Sequence, residues 1–304
     1  MPPGHFDREC YDRRPLTSPF TQLFLPAAVA VVMLALGATL TTDDLRRVLE
    51  APKPFVLGSL LHIVLLPSLA FAIGLLFEMP AKAAAGLVII ACCPANSTAN
   101  LFTHFAKGDT MLSVCLTAAT SLLAVATIPV VVNAALTTFP SGHEAVRLPI
   151  VRTALGVFLI GTLPVIVGML LKRKRPALAR KIETGLNGFG LVVIAAVVVA
   201  AIWSERDKVP AALVQSGPFA LLLNVTAVST AWGVSALTHV AWPQRVAIGL
   251  ECGLQNFALA AFVALTLLGD ALLLLPAIAY GLTMWLSAGA VVGLARKRAA
   301  SGRY

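Results

Sequence analysis

Charged side chains are scarce in this sequence: of 304 residues only 12% are charged and 58% are hydrophobic, against roughly 25% charged in a soluble domain. A chain so poor in charge cannot clothe a globular surface, which excludes a soluble protein and points to repeated membrane crossings. Histidine numbers only five, and no Asp, His and Ser cluster or metal-ligand motif gathers at the end of an apolar run, so no enzyme activity and no transition-metal site is expected. Cysteine is also sparse. Its five copies, Cys10, Cys92, Cys93, Cys115 and Cys252, are an odd number without ligand spacing, and four of them lie in apolar runs, so they read as small buried hydrophobes and not as disulfides. The basic stretches lack interleaved aromatics, which leaves nucleic acid without a stacking platform and removes it as a partner. Nothing in the sequence calls for an obligatory protein partner.

What is present is apolar length. Dividing the chain at its charges gives nine segments, 20–40, 54–77, 83–106, 110–137, 150–171, 184–204, 211–238, 246–268 and 271–294, each near the ~20 residues that cross a bilayer. The expected class is an all-α polytopic membrane protein, and the lipid bilayer is its first partner. The formal net charge of +9 then becomes a topological signal. With the N-terminus outside, the inner side carries fifteen Lys and Arg, including the run Lys172, Arg173, Lys174, Arg175, and the outer side carries the other eight of 23. The expected location is a bacterial inner membrane with the C-terminus cytoplasmic. Residues 1–18 read as an exposed tail and 296–304 as a cytoplasmic one.

Two segments break the apolar pattern. In the eighth, Glu251 is the one formal charge between Arg245 and Asp270. An acid at mid-membrane costs roughly 2.5–3.5 kcal/mol on insertion scales, so it needs a partner or a watery cavity. Gly249 and Gly253 weaken the helix around it, and Gln255 and Asn256 add amide oxygens one turn on, a set of hard ligands suited to Na⁺ or a proton. In the third segment, Pro94 and the polar run Asn96, Ser97, Thr98 and Asn100 predict a broken membrane helix. The fourth segment places Ser113, Thr117 and Thr120 on one face. On the second, His62 precedes Pro67; a lone His there is more often a packing residue than a ligand.

The two broken segments are the third and the eighth, an odd offset that sets the copies in opposite orientations and suggests an inverted repeat. Each is followed by a span that opens on an acid, Asp109 or Asp270, and each break ends in an Asn, Asn100 or Asn256. The repeats are expected over 19–138 and 147–295.

At these residues the chain resembles the bile acid:sodium symporter family. The likeness is carried by Cys92-Cys93-Pro94, Asn100-Leu101-Phe102-Thr103, Lys107-Gly108-Asp109, Leu112-Ser113-Val114 with Thr117, and Glu251-x-Gly253-x-Gln255-Asn256, and runs more loosely from about Leu23 to the last segment. It implies a ten-helix inverted-repeat plan, here of nine with the first helix missing, in which a panel domain faces a core domain whose two broken helices cross. It implies secondary active transport, the sodium-coupled symport of a bile-acid-like or other carboxylate or sulfonate anion by alternating access, with Na⁺ as coupling ion and no cofactor. Related carriers of small hydroxy acids such as pantoate, or of arsenite, proton-coupled in some versions, are the nearest alternative; a membrane sensor or enzyme is more distant. Residue by residue, the resemblance implies a first sodium site at Asn100, Ser113, Thr117 and Glu251. It implies a second at Glu251, Gln255 and the carbonyls of Cys252 and Leu254, with His62 beside them. Substrate is expected at Ser97, Thr98 and Asn256, where half-helix N-termini meet. Two positions depart from the family pattern: Ala99 replaces a Ser, and His62 replaces a Gln.

Overall fold

The computed structural model describes residues 19–39, 52–140, 148–181 and 209–301, with scattered residues between 192 and 207. The expected tail over 1–18, most of the sixth segment and the last three residues lie outside the described residues. Ten helices are built from the rest: α1 Pro19–Thr39, α2 Pro52–Leu76, α3 Ala81–Ala91, α4 Ser97–Phe105, α5 Thr110–Thr138, α6 Ile150–Lys174, α7 Val209–Leu237, α8 Trp242–Gly253, α9 Phe257–Leu267 and α10 Ala271–Ala300. Within them five stretches are long and apolar enough to cross a membrane, while α3 and α9 are shorter apolar pieces. The protein is an all-α polytopic membrane protein. Its last helix runs six residues beyond the expected end of the ninth segment, so Arg296, Lys297 and Arg298 stand on helical turns.

Proline shapes the long helices. A proline ring displaces the carbonyl four residues back, and in both α2 and α6 the turn ahead of the proline widens into a π-turn, Leu61–Leu65 before Pro67 and Phe158–Thr162 before Pro164. His62 sits in the first of these wide turns.

Helix ends are closed by the residues the sequence supplies. Asp109 accepts from the Leu112 amide at 3.0 Å and Asp270 from the Leu272 amide at 2.9 Å, so both acids are N-caps. Asp270 also pairs with Lys82 at 2.7 Å, which ties the start of α3 to the start of α10. At C-termini the exposed carbonyls meet cations: Lys172 reaches Thr39, Arg296 reaches Phe105, and Arg245 reaches Val240 just past α7. Each places positive charge on the negative end of a helix dipole.

The third and eighth segments are broken as expected. Pro94 and its neighbours separate α3 from α4, and Leu254 to Asn256 separate α8 from α9. The two breaks cross and pair as antiparallel backbone at Ala95 and Gln255. The Asn96 amide donates to the Leu254 carbonyl at 3.0 Å, and the Asn256 amide donates to the Pro94 carbonyl at 2.8 Å. Each break thus satisfies peptide groups that its own helix has lost, the condition for irregular backbone at membrane depth. Around this crossing, α2, α5, α7 and α10 pack against the half-helices, while α1 packs chiefly on α6. The α1–α6 approach is close because Gly37 lies on the Val165 backbone and Gly168 on the backbone of Leu34 to Ala38.

Candidate ion and substrate site

Glu251 projects from the last turn of α8 and is buried, with 1% of its surface exposed. Its Oε1 accepts from Ser113 Oγ at 2.6 Å and from Thr117 Oγ1 at 2.8 Å. Ser113 and Thr117 lie one turn apart on α5, as their spacing requires. Asn100 of α4 completes the group, with its Oδ1 at 2.8 Å from Ser113 Oγ and 3.4 Å from Thr117 Oγ1. The structure therefore brings Asn100, Ser113, Thr117 and Glu251 together from three helices. Thr103 adds a fifth oxygen, 3.4 Å from Ser113 Oγ.

The oxygens outnumber the protons. Ser113 has one hydroxyl hydrogen but faces both the Glu251 carboxyl and the Asn100 carbonyl oxygen, and the Thr117 hydroxyl has the same choice of acceptors. Lone pairs crowd at 2.6–3.4 Å with too few hydrogens between them, the electrostatic arrangement that a hard cation relieves.

The other side of the carboxyl is unsatisfied. Glu251 Oε2, Gln255 Oε1 and His62 Nδ1 are buried without hydrogen-bond partners, and buried polar atoms normally have one. His62 Nε2 lies 3.0 Å from the Cys93 carbonyl. Because a carbonyl only accepts, Nε2 carries the hydrogen in that contact. Gln255 Nε2 donates to the Cys252 carbonyl at 3.1 Å, while the Leu254 carbonyl is the one engaged by Asn96. Cys252, Leu254 and Gln255 belong to the α8–α9 break, and His62 meets the α3–α4 break at the Cys93 carbonyl.

The three residues expected at substrate also meet. Ser97, Thr98 and Asn256 line one cavity of about 310 Å³, together with Asn96, Val32, Phe257 and Trp285. Asn96 caps α4 by accepting from the Thr98 amide at 3.3 Å, and Asn256 caps α9 by accepting from the Leu259 amide at 3.0 Å. Two helix N-termini thus border the cavity, whose remaining wall is apolar, a fitting place for the acid end of an amphipathic anion. Thr98 Oγ1 has no hydrogen-bond partner.

The sequence pairing of Asn100 with Asn256 at the two breaks is not the one the structure makes. The residues that answer each other across the crossing are Asn96 and Asn256, each an N-cap and each donating its amide to the opposite break; Asn100 lies a turn inside α4. An Asn two residues after a proline and ahead of Ser-Thr is an N-cap signal that could have located Asn96. Thr120 does not join the site, since its hydroxyl bonds back to the Leu116 carbonyl at 2.9 Å. Asn224 and Tyr280 do join it, on the carbonyls of the break, although α7 and α10 gave only a weak polar face and a plain apolar span.

An all-α membrane protein whose two interrupted helices cross beside a buried, oxygen-rich carboxyl is built on the plan of a secondary transporter. The model of the sodium bile acid symporter family matches residues 26–211, and the chain belongs to that family. Among its relatives, the sodium-dependent transporter YocS of Bacillus subtilis, itself uncharacterized, is 26% identical over 79% of this chain and 73% of its own length. A probable chloroplastic sodium/metabolite cotransporter, BASS2 of rice, is 28% identical over 80% of this chain and 57% of its own. Human sodium/bile acid cotransporter 4 is 33% identical over 35% of this chain. The alignments span about three fifths of the length of the plant relatives. The protein is a sodium-dependent transporter of this family.

Proposed function

We propose that the protein moves an organic monoanion, a carboxylate or sulfonate with an apolar body, in symport with Na⁺ by alternating access. The observation that carries this reading is the excess of buried oxygen around Glu251, one helical turn from a cavity bordered by two helix N-termini. Na⁺ binds first, between Asn100, Ser113, Thr117 and Glu251, and a second ion lies between Glu251, Gln255 and the break carbonyls with His62 beside them. These ions brace the crossing and bring both N-termini to bear on the substrate's acid group, with Ser97, Thr98 and Asn256 donating to it. An inverted repeat that pairs the third segment with the eighth accounts for the reciprocal amide bonds of Asn96 and Asn256. In this scheme the α1–α6 pair is the panel against which the core moves, and Met33 of α1 meets it at Asn256, 3.7 Å from sulfur to amide nitrogen.

Stoichiometry sets the gain. Two Na⁺ per monoanion carry one net charge inward, worth about 2.3 kcal/mol at −100 mV, close to 50-fold in accumulation; a single Na⁺ would carry none. The modest cavity favours a compact carboxylate over a bulky one, which keeps a small hydroxy acid in view as the second reading. Proteoliposome uptake of a panel of labelled monocarboxylates, with and without an inward Na⁺ gradient, is the deciding experiment. Equal uptake of every candidate under both conditions would overturn the sodium-coupled reading.

The two departures from the family pattern separate the ion sites. Ala99 is fully buried beside Asn100, so Ala99→Ser adds a hydroxyl to the first site and should lower the Na⁺ concentration for half activation roughly threefold to tenfold, the effect of about one hydrogen bond. His62→Gln replaces an imidazole with an amide oxygen at the second site and should lower it similarly. Activation curves identical to wild type for His62→Gln would make His62 a packing residue. Orientation is tested separately, in a variant without Cys10. A cysteine at position 4 should react with an impermeant label from outside, and one at 301 only after permeabilisation; both labelling from one side would require an even number of crossings.

A further inference from the structure

Two side chains outside the ion and substrate sets hold the broken part of α8. Asn224 of α7 and Tyr280 of α10 are both fully buried. Asn224 Nδ2 donates to the Gly253 carbonyl at 2.8 Å, and the Tyr280 hydroxyl donates to the same oxygen at 3.1 Å, with the Cys252 carbonyl 3.5 Å away. Gly253 is the last residue of α8, and its carbonyl has no following turn to accept from, because the Phe257 amide bonds to Gln255. Two donors from two helices thus converge on one freed carbonyl. That peptide oxygen lies between the Cys252 and Leu254 carbonyls, the pair assigned to the second cation.

We infer that Asn224 and Tyr280 are positioning residues for the second cation: by clasping the Gly253 carbonyl they fix the adjoining peptide planes and hold the Cys252 and Leu254 oxygens toward the ion. The inference rests on the sodium-coupled reading. A carbonyl is a weak ligand whose value depends on its direction, and the Gly253 carbonyl has no helical donor from a following turn to help set that direction. Glycine at 253 makes the requirement stronger, since its backbone is the least restrained of any residue. A Cβ there would also meet Val228 of α7, so the break lies hard against the helix that supplies Asn224. The clasp has a second consequence: α7 and α10 are tied to the ion site through the peptide they hold, so their packing responds to its occupancy.

The test uses Na⁺ alone as the probe, on full-length protein in detergent, with choline replacing Na⁺ at constant ionic strength and thermal unfolding as readout. Wild type should show a saturable, Na⁺-specific rise in melting temperature. Tyr280→Phe, which removes one hydroxyl and keeps the ring, should raise the Na⁺ concentration for half-maximal stabilisation about threefold to tenfold, and Asn224→Leu should raise it about tenfold. The double variant should exceed neither single effect by much, because both act through one carbonyl. A merely structural part would lower the melting temperature in choline and leave the half-saturating Na⁺ concentration unmoved, and that result overturns the positioning role while leaving sodium coupling intact. No Na⁺-specific shift in the wild type would overturn both. If Asn224→Leu fails to accumulate, Tyr280→Phe decides alone.

Discussion

Glu251→Gln should abolish Na⁺-driven transport and leave the protein folded in the membrane. The carboxyl is the group shared by both proposed cation positions, and Gln keeps its length and one oxygen, so Ser113 and Thr117 can still donate to the side chain as they do at 2.6 and 2.8 Å. What is lost is the negative charge. Removing one partner of a buried ion pair costs about 3–5 kcal/mol, so Na⁺ affinity should fall by at least about a hundredfold. Uptake into proteoliposomes should drop to the background of empty vesicles, while gel filtration and melting in Na⁺-free buffer stay close to wild type. Wild-type uptake by Glu251→Gln would sink the assignment of the site.

The second large effect is expected far from any ion. A Cβ on Gly37 would overlap the Val165 carbonyl, and one on Gly168 would overlap the Leu34 carbonyl and the Ala38 amide. Backbone cannot yield as a side-chain tip does, so Gly37→Leu and Gly168→Leu must push α1 and α6 apart, at a cost above the ~1–3 kcal/mol of ordinary overpacking. Melting should fall by several degrees or more and transport should be lost. Because α1 and α6 contribute no ligand to the oxygen cluster, the Na⁺-dependent part of the stabilisation should persist in whatever protein folds. Gly37→Leu with wild-type melting and flux would show that this helix contact is not needed.

Much of the site was legible because membrane segments punish polar residues. Glu251 and Pro94 stood out against their own surroundings, and the acids at 109 and 270 announced helix starts that the structure confirms as caps. Partnership was not readable from local pattern. Ser113 and Glu251 are 138 residues apart, and nothing in a helical stripe of hydroxyls says which distant carboxyl it faces; Thr120, on the same stripe, turns back to its own helix. The resemblance to a family supplied that pairing. Asn224 and Tyr280 escaped because a single amide or phenol in an apolar span has no local signature, and its meaning comes from a backbone carbonyl on another helix. The wide turn that carries His62 was hidden too: it lies just ahead of Pro67, but Pro129 and Pro218 sit in helices that have no such turn.

The crossing of the two broken helices is fastened by peptide groups alone: one amide and one carbonyl from each side. The pairing itself asks only that neither 96 nor 256 be proline, which has no hydrogen to give, while the Asn side chains at those positions cap α4 and α9. Side chains that only line the cavity, such as Val32 and Trp285, take no part in that backbone pairing. The frame of the cavity is thus written in the backbone, and its lining is written in the side chains.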